Sequence, residues 1–215
     1  MIKGCIFDLD GVIVDTAKYH YLAWKELAES LGFAFTEKDN ERLKGVSRMR
    51  SLDILLEIGG KQLDDETKLK FAENKNKKYL EYILKMTPDE ILPGIINFLE
   101  DLRSKNIKIA LGSASKNAMT ILNQLNLTNY FNAVIDGTKV SNAKPDPEVF
   151  LKGAEALNLK PEECLVFEDA EAGIEAAING GFKCVGIGSP ENLSKANYIM
   201  SGFEDITFDK IIELI

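Results

Sequence analysis

Short apolar runs mark the chain at residues 2–7, 107–111, 133–135, 165–167 and 184–187, and most give way at once to polar residues. Runs of this length and composition suit strands buried inside a sheet. From Leu92 onward they alternate with helical patterns. Pro93-Gly94 opens a helix over 95–104, and Ser115 opens one over 117–125. Asp146 before Pro147 reads as an N-cap with proline at the first helical position, predicting a helix over 148–157. A helix over 171–179 stops at Gly180-Gly181. Strands and helices taking turns predict an α/β fold, a doubly wound parallel sheet with helices on both faces. Ligands of such sheets collect at the carboxyl ends of the strands.

One stretch breaks the alternation. Between Asp15 and Leu92 there is helical periodicity and no strand pattern. Ala17, Tyr21, Trp24, Ala28 and Leu31 fall on one helical face. Thr36 to Asp39 has the form of a capping box, and Ser47 is placed to cap a helix over 48–58. A further helix over 68–85 carries the basic run KNKKYL, read as a solvated face. The expected organisation is an α/β core of residues 1–14 and 93–215, with 15–92 inserted as a helical domain over the strand ends. The insertion is too long for a loop.

Composition narrows the function. The 215 residues carry a net charge of −8, which argues against a nucleic-acid partner held by a basic face. No signal peptide and no apolar run of membrane-spanning length is visible, so a cytoplasmic protein with no membrane partner is expected. A monomer is expected, since no exposed apolar stripe stands out. Cys5, Cys164 and Cys184 each fall in an apolar run, without metal-site spacing, and read as buried free thiols.

The chemistry gathers where the strands end. The first run stops in Asp8-Leu9-Asp10-Gly11, the second in Ser113-Ala114-Ser115-Lys116-Asn117, and the fourth in Glu168-Asp169, while Lys144 follows the third in the loop before Pro145. Singly, each has a structural reading: Asp-x-Asp-Gly is turn chemistry, Ser113, Ser115 and Asp169 suit helix caps, and Lys144 suits a surface lysine. Together on one rim, the carboxylates repel one another and raise each other's pKa unless a cation joins them. Hard carboxylate oxygens with a phosphate nearby are what Mg²⁺ prefers. Ser113 and the N–H groups near Ser115 suit phosphoryl oxygens, Lys144 adds positive charge, and an aspartate serves as a nucleophile for phosphoryl transfer. A second aspartate two residues away is placed to move a proton. His20 is the only histidine, so a Ser–His–Asp triad has no other base to draw on. On its helix face it suits either packing or ligand contact.

FDLDGV, LGSAS, AKPDP and FEDAEAG, in this order across nearly the whole chain, resemble the four motifs of the haloacid dehalogenase superfamily of phosphotransferases. The resemblance implies a Rossmann-like core with an inserted helical cap. DTAKYHYLAWKELA, LKGVSRMRSL and SASKN further resemble its sugar phosphomutases. That implies Asp8 as the nucleophile and Asp10 as general acid and base. It also implies Mg²⁺ on Asp8, Glu168, Asp169 and the backbone carbonyl of Asp10. Ser113 and Lys144 would grip the transferring phosphoryl group. Arg48, with Ala114, Ser115, Lys116 and Asn117, would hold the non-reacting phosphate. His20, Trp24, Lys44, Gly45, Val46 and Ser47 would line the sugar, with Thr16 at the hinge. The implied substrate is a sugar phosphate, β-D-glucose 1-phosphate converted to glucose 6-phosphate, with glucose 1,6-bisphosphate as activating intermediate. Met49 and Arg50 stand where this resemblance leads one to expect acidic residues, making the cap rim more basic.

Two other readings stand beside this one. The same core serves a sugar-phosphate phosphatase in which water takes the phosphoryl group. A phospho-accepting receiver domain also combines aspartates, Mg²⁺ and lysine, but carries its acceptor on a later strand and lacks a helical lid.

Overall fold

The computed structural model describes residues 1–43 and 46–215. After strand β1 (Gly4–Phe7) come four helices, α1 (Ala17–Ser30), α2 (Glu37–Glu41), α3 (Arg48–Ile58) and α4 (Asp65–Ile83). The rest alternates: α5 (Ile95–Ser104), β2 (Lys108–Gly112), α6 (Ala118–Gln124), β3 (Ala133–Ile135), α7 (Glu148–Ala156), β4 (Cys164–Glu168), α8 (Glu171–Asn179) and β5 (Lys183–Ile187). Helix α9 (Pro190–Leu193), strand β6 (Tyr198–Met200) and helix α10 (Phe208–Leu214) close the chain. The strands form one sheet in the order β3-β2-β1-β4-β5-β6, every neighbouring pair parallel. The strand order reverses between β1 and β4, which opens a crevice at their carboxyl ends.

Successive side chains of a strand face opposite ways, and β1 uses both faces. Phe7 joins Phe98, Phe167 and Phe203 in one core cluster, while Ile6 joins Phe150 and Val166 in the other. The Phe7 and Phe167 rings stack at 4.6 Å between centroids, on the rung where β1 pairs with β4. Burying each ring is worth about 1.5–3 kcal/mol. The next residue of each strand is Asp8 or Glu168. The rung that follows the stacked rings therefore holds two carboxylates side by side.

Helices α1 to α4 have an apolar cluster of their own, built from Trp24, Leu27, Ala28, Phe35, Leu52, Leu55, Leu56 and Ala72. The chain enters and leaves this helical unit along adjacent paths. Val14 bridges Ile91, and the Leu92 N–H donates to the Ile13 carbonyl at 2.9 Å. Among the described residues no helix is long and apolar enough to cross a membrane.

The predicted capping box is present: the Thr36 and Asp39 side chains exchange hydrogen bonds with each other's backbone N–H. Ser47 accepts from the Arg50 N–H as expected. All three cysteines are buried and free, and burial pushes the Cys164 thiol up to about 12. Helix α7 begins one residue after the expected proline. Pro147 is the N-cap, and the Asp146 carboxylate accepts from the Glu148 N–H at 2.9 Å, an Asx turn instead of a helix cap. Helix α4 starts at Asp65, before the expected residue 68, because Asp64 caps it by accepting from the Thr67 N–H. The reading of KNKKYL as a solvated face is corrected. Lys77 and Lys78 are exposed, but Lys75 and Tyr79 are buried. Ala72, Lys75, Tyr79 and Ile83 share the inward face of α4. Strand β6 was absent from the sequence reading, being three residues at the sheet edge.

Candidate active site

The turn after β1 is built to bring carboxylates together. Gly11 adopts φ +82°, and a Cβ there would lie 2.1 Å from Asp169 Oδ2. Only glycine fits that conformation at that separation. Gly173, inside α8, makes room in the same way for Glu168, whose carboxyl carbon lies 2.0 Å from where a Cβ would stand. As a result Asp8, Glu168 and Asp169 each offer a carboxylate oxygen within 4.8 Å of the others. A set of three hard oxygens with excess negative charge fits a divalent cation such as Mg²⁺.

Lys144 reaches into this cluster. It is buried, with Nζ 2.5 Å from Asp8 Oδ1 and 2.8 Å from Glu168 Oε2. The reading of Lys144 as a surface residue is thereby set aside. Burial alone pulls a lysine pKa down, but the charges of Asp8 and Glu168 more than reverse it and hold Lys144 above the usual lysine range. Burial pushes Glu168 up to about 7, against the opposing pull of Lys144. The other Asp8 oxygen accepts from the Asp10 N–H at 3.0 Å.

Asp10 does a different job from Asp8. Its side chain turns toward the helical unit and accepts a hydrogen bond from the Thr16 hydroxyl. Enclosure of the carboxyl group, and then the charge of Asp8, push it up to about 7, while Thr16 opposes the shift. A carboxyl poised there can both give and take a proton near neutral pH.

Above these residues lies a cavity of about 500 Å³ between the helical unit and the sheet. From the sheet side Asp8, Asp10 and Asp169 line it, with the turn Ala114, Ser115, Lys116 and Asn117. From the helical unit come Thr16, His20, Trp24, Val46, Ser47 and Arg48. Ser113, Lys144 and Glu168 lie buried under its floor. Ser113 Oγ accepts from the Ser115 N–H at 3.1 Å, and Ser115 Oγ accepts from the Asn117 N–H at 3.2 Å, so both serines shape the turn before α6, and the expected capping role is corrected: Asn117 is the N-cap. Lys44 and Gly45, also expected at the sugar, lie outside the described residues. Arg50 does not enrich the rim in positive charge: it pairs with Glu57 at 3.0 Å on its own helix.

The sequence reading missed a second polar layer on α4. Lys75 Nζ lies 2.9 Å from His20 Nδ1 and over the rings of Trp24 (4.3 Å) and Tyr79 (4.9 Å). His20 also packs on Tyr79 at 4.1 Å, as the packing reading expects, and lines the cavity. Burial, followed by the nearby Lys75 and Arg48 charges, holds His20 well below its usual pKa. Burial, followed by Arg48, does the same to Lys75. The signal was legible: a lysine on an apolar face at helical spacing.

A buried lysine with a depressed pKa weakens the fold, because the unfolded chain binds the proton more readily. The penalty is present below the unfolded lysine pKa and fades as pH rises toward about 10. Lys75→Met is therefore expected to stabilise the protein at pH 7, with the gain shrinking by pH 10. Thermal unfolding at both pH values checks this; a less stable variant at pH 7 would contradict it.

A family model for haloacid dehalogenase-like hydrolases matches residues 2–181. β-Phosphoglucomutase of Bacillus subtilis is 42% identical over 214 residues, covering 99% of this chain and 95% of that protein. The phosphorylated carbohydrates phosphatase of Thermotoga maritima is 36% identical over 85% of this chain and 83% of its own. The crystal structure of β-phosphoglucomutase from Clostridium difficile superposes with a TM-score of 0.95 at 47% identity, covering 100% of this chain and 97% of that one. The chain belongs to the haloacid dehalogenase-like hydrolase family, as an enzyme of the β-phosphoglucomutase type.

Proposed function

We propose that the enzyme interconverts β-D-glucose 1-phosphate and D-glucose 6-phosphate by way of an aspartyl phosphate on Asp8 and β-D-glucose 1,6-bisphosphate. The observation that carries this reading is a single cavity with two kinds of anion-binding equipment. The Asp8–Lys144–Ser113 floor serves a reacting phosphate, while Arg48 and the Ser115–Asn117 turn serve a second one. A phosphate that is held and not cleaved suits the bidentate grip of arginine.

Asp8, Glu168 and Asp169 would hold Mg²⁺, whose charge lets a phosphate approach the carboxylates. The chain's own residues then divide the work. Lys144 and Ser113 steady the transferring oxygens. Asp10 takes the proton of the sugar 6-hydroxyl as that oxygen bonds to phosphorus and the bond to Asp8 breaks. The bisphosphate then turns over. Its C1 phosphoryl group passes to Asp8, and Asp10 returns the proton to the departing O1. The helical unit, residues 15–92, acts as a cap over the strand ends, with Thr16 at its hinge, excluding water from the aspartyl phosphate. His20, Trp24, Val46, Ser47, Lys44 and Gly45 are assigned to the sugar. The reading includes a monomer working in the cytoplasm.

The runner-up is a sugar-phosphate phosphatase, favoured by the 36% identical carbohydrate phosphatase. Asp10→Asn tests the mutase roles. It is expected to slow formation of glucose 6-phosphate by about 10²–10⁴-fold, with Mg²⁺ affinity unchanged. Turnover at the wild-type rate would remove Asp10 from the mechanism.

A further inference from the structure

Two asparagines join the helical unit to the sheet at the cavity wall. Asn117, the N-cap of α6, donates from Nδ2 to Oδ1 of Asn76 on α4 at 2.9 Å. Both residues line the cavity. The Asn117 backbone N–H is already taken by Ser115 Oγ. Its side chain keeps a second N–H and its own carbonyl oxygen for a further partner. The residue before Asn76 is Lys75, whose Nζ meets His20. One turn of α4 thus reaches toward α1 on one side and toward the phosphate turn on the other.

We propose that Asn76 is a positioning residue that couples seating of the helical unit to occupancy of the non-reacting phosphate subsite, acting through Asn117. The proposal rests on the reading that Asn117 faces that phosphate. With its amide plane fixed by Asn76, Asn117 presents its remaining N–H without first losing rotational freedom, which favours binding of an anion. The coupling is reciprocal: a phosphate that fixes Asn117 strengthens its hold on α4. A bisphosphate would thereby draw the helical unit down as it binds.

The test compares Asn76→Ala, Asn117→Ala and the double variant by glucose 1,6-bisphosphate affinity. It also compares the share of phosphoryl groups released as inorganic phosphate against those delivered to sugar. Asn76→Ala is expected to weaken affinity about 2- to 10-fold, the range for one neutral hydrogen bond, and to raise the phosphate share. The double variant is expected to match Asn117→Ala alone, because both act through one contact. Asn76→Asp keeps the accepting oxygen and is expected to hold the wild-type partition at saturating bisphosphate. Wild-type affinity and partition in Asn76→Ala, additive losses in the double variant, or leakage in Asn76→Asp equal to that of Asn76→Ala would each overturn the proposal alone. Wild-type affinity in Asn117→Ala would overturn the phosphate subsite itself and the proposal with it.

Discussion

Replacing Asp8 with asparagine is expected to lower sugar-phosphate turnover by a factor on the order of 10⁴–10⁶, the scale on which loss of a nucleophile acts in other enzymes. The substitution is nearly isosteric. An asparagine carbonyl can still accept from the Asp10 N–H, and the Phe7–Phe167 stack that positions residue 8 is untouched. What is lost is the anionic oxygen that attacks phosphorus. The fold is expected to survive, since the change removes one of several crowded carboxylates. Incubation with bisphosphate followed by intact-protein mass analysis should show a phosphorylated wild type and an unmodified variant. Turnover within tenfold of wild type would contradict Asp8 as nucleophile.

Lys144→Ala is expected to damage both stability and activity. Lys144 is 4% exposed and is the cation between Asp8 and Glu168. Removing one member of a buried ion pair typically costs about 3–5 kcal/mol, because the remaining charges stay desolvated without a partner. The pH dependence follows from Glu168, whose folded pKa of about 7 already lies above that of an unfolded glutamate. A raised carboxyl contributes stability at low pH and loses it as pH climbs through the folded value. Without Lys144 that rise is larger, so the deficit of the variant should grow between pH 5 and pH 8. Added Mg²⁺ is expected to restore part of it by replacing the missing charge. Urea unfolding at both pH values, with and without Mg²⁺, checks each part; wild-type stability at pH 8 without metal would contradict the account.

What was readable in the sequence followed from how strongly each local signal is constrained. An apolar run that ends in Asp8-Leu9-Asp10-Gly11 leaves few ways to fold, and both the strand and the turn appear in the structure. The same holds for Glu168 and Asp169, placed beside Asp8 by the register of β1 and β4. Lys75 escaped because lysine in a basic run ordinarily faces water, and only the spacing from Ala72 to Ile83 indicated otherwise. Asn76 escaped with it, since a contact to Asn117 across 41 residues leaves no local trace. Arg50 misled for the opposite reason: its charge was legible, its pairing with Glu57 was not. Strand β6 gains its place from pairing with β5 at the sheet edge, and three residues are too few to show a period.

The central claim is that phosphoryl groups leaving Asp8 go to a sugar and not to water. The most direct measurement supplies the purified enzyme with β-D-glucose 1-phosphate, Mg²⁺ and a trace of glucose 1,6-bisphosphate, and follows glucose 6-phosphate and inorganic phosphate in the same reaction. Glucose 6-phosphate accumulating with little free phosphate is the predicted result. Inorganic phosphate as the main product would contradict it and make the enzyme a phosphatase.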